Sequence, residues 1–190
     1  MLIAAAALAA LPAASASEAR AVEPAEGYQA IQQVFLREDF AGVVSLAQTF
    51  ILEHPDAPQV PRVWLWLSLS LDRLGEPHEA LRELDRLKNR LVSNDPVWQE
   101  LLFWEGDISR RAGQMARARS AYLRLVGRYP GSTWTSQARL GLGLIDLHRE
   151  AFASAIEHFH EISSRHAETP VARDAMLFEG LCHLQLKQFK

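Results

Sequence analysis

The apolar stretch AYLRLVGRY, residues 121–129, breaks at Pro130-Gly131-Ser132 and resumes as an apolar run that carries two glycines, Gly141 and Gly143. A glycine inside a helix costs about 1 kcal/mol relative to alanine, so something in the fold must offset it. Similar apolar runs, each ended by turn-forming residues, continue along the chain from Tyr28. Helix start and stop signals divide them into nine expected helices: 28–37, 40–53, 59–74, 77–92, 96–112, 115–128, 133–149, 152–166 and 170–186.

The runs are copies of one unit. Gly106, Gly143 and Gly180 are each 37 residues apart, and Ser68 lies 38 before Gly106. Twelve residues after Ser68, Gly106 and Gly143 stand Ala80, Ala118 and Ala155, and four further on Leu84, Tyr122 and Phe159. Phe40, Pro77, Met115, Phe152 and Phe189 keep the same step, and Pro130 follows Gly106 by 24 with Pro55 in the matching place of the first unit. A period of this length is the signature of a stacked repeat. Small residues on paired helices let their axes approach, and the large residue beyond fills space toward the next unit. Gly141 falls outside this register.

The order glycine, alanine, aromatic, proline resembles the tetratricopeptide repeat from about residue 28 to the end of the chain. The period of 37–38, with the added residues in YPGSTWTSQA, is similar to that of bacterial cell-envelope members, the Tol-Pal-associated cell-division coordinator and BamD-type assembly lipoproteins. The resemblance implies an all-α fold, an α-solenoid of antiparallel helix pairs with about four and a half units over 28–190. The first helix of each pair would line a concave surface. Three before and one after each small residue, that surface would present Leu65, Phe103, Leu140 and Leu177, and Leu69, Asp107, Leu144 and Leu181, with Arg73, Arg110 and Arg111 at its edge. Lys, Arg and Asn, which clamp a peptide carboxylate in some members, are absent from these positions. An amphipathic helix or extended apolar segment is therefore the expected ligand, with tight curvature burying these leucines as the alternative. The helix over 170–186 lacks the second helix of its pair. A continuation past Lys190, a second copy or another chain is expected to cover it.

The remaining composition narrows the function. A near-neutral balance, net −3, does not suit generic nucleic-acid binding. The start, MLIAAAALAALPAASA, is apolar and ends small, as a signal peptide does, over 1–16 with cleavage before Ser17. No Lys or Arg precedes it, and no cysteine follows it to carry a lipid. A polar linker is expected over 17–27, and a periplasmic location for the mature chain, without a membrane span.

No catalytic, cofactor or metal site is expected. His160-Glu161 lacks the second histidine of a zinc-protease helix, Ser164 standing there, and His158 and His160 lie on opposite helix faces. GLGLID, residues 141–146, lacks the third glycine and the preceding strand of a dinucleotide site. Cys182 reads as a core residue. Arg110, Arg111, Arg117, Arg119, Arg124 and Arg128 give the 101–130 segment a basic excess, read first as ordinary solvated faces and otherwise as a surface that steers an acidic partner or an anionic surface. These features together predict a non-enzymatic scaffold of the cell envelope. An assembly module, or the docking domain of a larger protein, is the rival reading.

Overall fold

The computed structural model describes residues 23–165 and 168–186. Among them are nine α-helices and no strand: α1 Pro24–Leu36, α2 Phe40–Glu53, α3 Val60–Arg73, α4 Pro77–Lys88, α5 Val97–Arg111, α6 Met115–Arg128, α7 Thr135–His148, α8 Phe152–Arg165 and α9 Pro170–Gln185. The expected antiparallel pairs form, α1 with α2 through α7 with α8, and α9 stands as the first helix of a fifth pair. The odd-numbered helices also touch one another in succession, whereas α2, α4, α6 and α8 do not. One layer is thus closely spaced and the other splayed, which curves the stack with the odd-numbered helices inside.

Every pair is closed by the same three-residue turn. Glu38, Gly75, Gly113 and Glu150, 37 or 38 apart, have φ of 59°, 85°, 75° and 58°. At the third of these turns the Gly113 N–H donates to Arg110 O (3.1 Å) and the Gln114 N–H to Ser109 O (2.8 Å). The other three turns repeat the pair of bonds, so each helix ends in a Schellman motif that satisfies its last carbonyls. The connections between pairs are longer. In the third, the Thr135 hydroxyl donates to Tyr129 O (2.8 Å), tying the start of α7 to the end of α6.

Two aromatic rings explain the glycines. A methyl group on Gly106 would lie 2.4 Å from the ring of Tyr122, and one on Gly141 would lie 2.4 Å from the opposite edge of that ring. Tyr122 is thereby clasped between α5 and α7, at 1% exposure. On Gly143 a methyl group would lie 2.3 Å from the Phe159 ring, whose other neighbour is Phe178, stacked at 5.6 Å. The glycines therefore admit the large residue 16 positions later, and alanine is not what they meet first. Gly141, outside the repeat register, is the receiving site for the preceding unit's ring.

Several expected boundaries move. Helix α1 begins at Pro24, a residue suited to the first helical turn, so the last four residues of the expected linker are helical. Helix α4 ends at Lys88 rather than near 92, because Leu91 and the Trp98 indole, which donates to Val92 O (2.7 Å), turn the chain toward α5. The segment 1–16, expected to be a leader, and the final residues 187–190, Phe189 among them, lie outside the described residues.

Gly106→Ala and Gly141→Ala should each lower the stability of the chain by about 1–2 kcal/mol, because overpacking against a ring that cannot move outweighs the gain in helix propensity. Gly127→Ala, a helical glycine with open space around it, should instead be neutral or raise stability by up to about 1 kcal/mol in the same urea titrations.

Candidate functional site: the inner face of the stack

The inner layer places the ten expected contact residues unevenly. Leu65 and Leu69 are core, at 0% and 9% exposure. Helix α3 is packed by α1, α2, α4 and α5, and every residue from Val63 to Asp72 is buried. The indole of Trp66, stacked on Tyr28 (5.1 Å) and Phe35 (5.5 Å), draws α1 against it. Leu65 and Leu69 therefore cannot line a groove, which corrects the reading of the second unit. Phe103 is half-buried and stacks on Trp134 at 4.7 Å. Leu140 and Leu144 are half-buried against the α7–α9 core, while Leu177 (64%) and Leu181 (42%) stand open on α9. Of these apolar positions, those that keep some accessible surface lie on the C-terminal half of the layer, most fully on α9.

The polar residues sit beside it in a closed network. Asp107 accepts from Arg110 (3.0 Å) and Arg111 (3.1 Å), and Arg111 also forks onto both carboxylate oxygens of Asp72 (2.8 and 3.2 Å), linking α3 to α5. Burial and the charge of Asp107 push the Tyr122 phenol up to about 12, against the neighbouring Arg110 and Arg111, so it is neutral over the physiological range. The other arginines of the basic segment are also engaged. Arg117 bonds Asp85 (2.7 Å) and Glu105 (3.0 Å), Arg119 bonds Asp146 (3.1 Å), Arg128 bonds Ser93 O (2.6 Å), and Arg124 lies over the Trp98 ring at 5.9 Å. Four of the six, Arg110, Arg111, Arg117 and Arg119, are therefore paired with carboxylates, while Arg124 and Arg128 stay on the exposed surface.

The remaining chemistry does not converge. Among the described residues no three His, Cys, Asp or Glu side chains are placed to hold a metal ion. His160 faces Glu179 (3.1 Å) and His158 faces Asp146 (3.5 Å), so the two imidazoles belong to different contacts. His158 has a side chain 20% exposed, beside Asp146, which is 4% exposed. Burial, with Arg119 and Arg139 nearby, holds its pKa below the ordinary value despite Asp146. Cys182 is buried in the α8–α9 core, and burial pushes its thiol up, away from nucleophilic use. No described helix is long and apolar enough to cross a membrane.

Comparison with known proteins agrees with this geometry. Residues 100–132, which cover most of α5, the turn after it and all of α6, match the family profile of the tetratricopeptide repeat. A tetratricopeptide repeat protein from Parabacteroides merdae superposes with a TM-score of 0.72 at 15% identity, over 87% of this chain and 62% of that one. MamA from Desulfovibrio magneticus RS-1 gives 0.71 at 16%, over 87% of each chain, and BtubC from P. vanneervenii 0.72 at 13%, over 88% and 77%. At such identities the likeness is one of fold, and the fold is an all-α tetratricopeptide-like solenoid. The chain spans less than two thirds of the Parabacteroides protein. No curated protein sequence matches it.

Because the depressed His158 must take up a proton more readily when the chain unfolds, its contribution to stability is present above the ordinary histidine value of about 6.5 and is lost as pH falls through the lower folded value. Urea midpoints measured from pH 7.5 to pH 5 should fall for the natural chain, and His158→Gln should flatten part of that slope. An unchanged slope would show that the imidazole is as free in the fold as in the open chain.

Proposed function

We propose that the chain is a non-enzymatic scaffold of the bacterial cell envelope that binds a protein segment along its inner face. One observation carries the reading: Phe103, Leu140, Leu144, Leu177 and Leu181 leave an accessible apolar strip on the layer of helices toward which the stack curves. Contiguous exposed apolar surface marks an interaction site when it is rimmed by polar groups, as Asp107, Arg110 and Arg111 rim this one. The matching ligand is an amphipathic helix or extended segment with large apolar residues at regular spacing. The charged groups beside the strip, already paired, would set its register at the margin and contribute little net affinity. The tetratricopeptide fold supports the scaffold role in general. The leader-like start supports the envelope.

Each part has its own test. A photo-crosslinking amino acid at Leu144 should yield a discrete protein adduct in cells, and the same group at Glu157, exposed on α8, should not. Equal labelling at both positions would remove the inner face as a specific site. Fused to a phosphatase that folds only after export, residues 1–27 should give an active enzyme cut before Ser17. An inactive, uncut fusion retained inside the cell would remove the envelope assignment.

A further inference from the structure

The outer layer holds a cleft that lies on the opposite face from the apolar strip. Helices α2 and α4 stand apart, and between them α3 forms a floor of Trp64 and Leu67. Ile51, Leu52 and Pro55 form the α2 wall, and the cleft has a volume of about 500 Å³. Leu52, at its rim, is 80% exposed. The α4 wall is charged. Glu83, 6% exposed, accepts from the Trp64 indole N–H (2.7 Å) and from Arg86, so its charge is engaged and the indole is held in place. Arg90 differs. Its exposed guanidinium lies over the Trp64 ring at 5.2 Å, and among the described residues no carboxylate pairs with it. A guanidinium resting on an aromatic ring is positioned without using up its N–H donors.

The corresponding places between later pairs are closed. Between α4 and α6, Asp85, Lys88 and Glu105 stand where Gln48, Ile51 and Leu67 stand in the first cleft. Lys88 bonds both carboxylates (2.7 Å each), and Arg117 from α6 joins them (2.7 and 3.0 Å), so a closed ionic network occupies those places. Between α6 and α8, Arg139 and Glu161 replace Trp64 and Arg86 and pair with each other. The cleft there, with Pro130 in the place of Pro55, shrinks to about 120 Å³. Of the three, the first combines apolar walls, a wide mouth and a cation without a carboxylate.

We infer that this cleft is a second docking site, on the outer face, for a protein segment in which a large apolar side chain neighbours an aspartate or glutamate. The apolar side chain enters between α2 and α4 onto Trp64, Leu67 and Leu52, and the carboxylate accepts from Arg90. A volume of about 500 Å³ lies within the roughly 300–1,000 Å³ of compact ligand sites and suits an anchoring side chain or two. A purely apolar segment would cover the guanidinium without giving it an anion, and a polyanion would gain nothing from the apolar walls. Arg124 and Arg128, exposed at the places of Arg86 and Arg90 one unit further on, extend the positive margin toward a second acidic residue of the segment.

A phage-displayed library of random dodecapeptides, panned on the purified chain, supplies the probe. The enriched peptides should carry a large apolar residue beside Asp or Glu. By fluorescence anisotropy, such a peptide should lose about tenfold or more in affinity on Arg90→Gln, and as much on Leu52→Asp, which sets a like charge in the mouth. Both side chains are exposed, so the melting temperature should stay within about 2 °C of that of the natural chain. Leu177→Asp, on the inner face, should leave the affinity unchanged. Affinity that ignores Arg90→Gln or Leu52→Asp overturns the outer site, and so does a panning that enriches nothing. A loss confined to Leu177→Asp would overturn it while leaving the inner-face proposal standing. Binding to phosphatidylglycerol vesicles that Arg90→Gln and Arg124→Gln abolish would also overturn it, since a lipid headgroup would then be the anion.

Discussion

The stack depends on one contact, the aromatic ring of a second helix lodged where a glycine of its neighbour has no side chain. Burying a large apolar side chain contributes about 1.5–3 kcal/mol, and each helical glycine costs about 1 kcal/mol. Phe159, received by Gly143 and stacked on Phe178, is a clear net gain. Tyr122 is received by two glycines, so burial of its ring little more than balances their cost. What the clasp adds is position. A ring held on both edges fixes the separation of α5, α6 and α7 together, and the inner layer inherits its spacing from that. Leu84 at the same place in the earlier unit needs only Ser68 opposite it, and there the hydroxyl is satisfied by its own helix, donating to Trp64 O (2.9 Å).

The repeat was legible because its markers are residue types that the packing restricts. Gly106, Gly143, Tyr122 and Phe159 could not be exchanged freely, so their spacing survives in the sequence and discloses the helix pairs and their order. Gly141 shows the limit of that reading. It belongs to the contact between units, where α9 has Phe178 and α5 has Trp104, so no period reveals it. The turns show another. Gly75 and Gly113 advertise the left-handed residue of the Schellman motif, but Glu38 and Glu150 adopt the same φ at a cost on the order of 1 kcal/mol that the flanking helices absorb.

The candidate face was harder to read for a physical reason. Spacing places Leu65, Leu140 and Leu177 on the same side of their helices, but exposure depends on how many neighbours each helix has. Helix α3 lies between α1 and α5 and is further covered by Tyr28 and Phe35 on Trp66, so its leucines are core. Helix α9 has neighbours on one side among the described residues, so the same positions are open. A pattern that is identical in sequence thus gives core at one end and surface at the other. Charge depends on neighbours in the same way: six arginines lie within thirty residues, and Asp72, Asp85, Glu105, Asp107 and Asp146 arrive from other turns and other helices to pair with most of them.

Those buried carboxylates also bear on how the units choose their neighbours. Asp72 on α3 is held by Arg111 on α5, Glu105 on α5 by Lys88 on α4 (2.7 Å) and Arg117 on α6, and Asp146 on α7 by Arg119 on α6. Such pairs add little net stability over apolar packing, because each carboxylate must first be taken out of water. Their cost when broken is larger, several kcal/mol for a carboxylate left buried without its cation. Apolar surfaces alone would tolerate a slip of one helical turn between units, since leucine packs on leucine in either register. With a buried carboxylate at the junction of the second and third pairs and at that of the third and fourth, a slip there strands an anion, and the observed order satisfies all three. The same pairing neutralises Asp72, Asp107 and Asp146 along the inner layer, so the apolar positions that stay accessible on α5, α7 and α9 lie beside charges that already have partners.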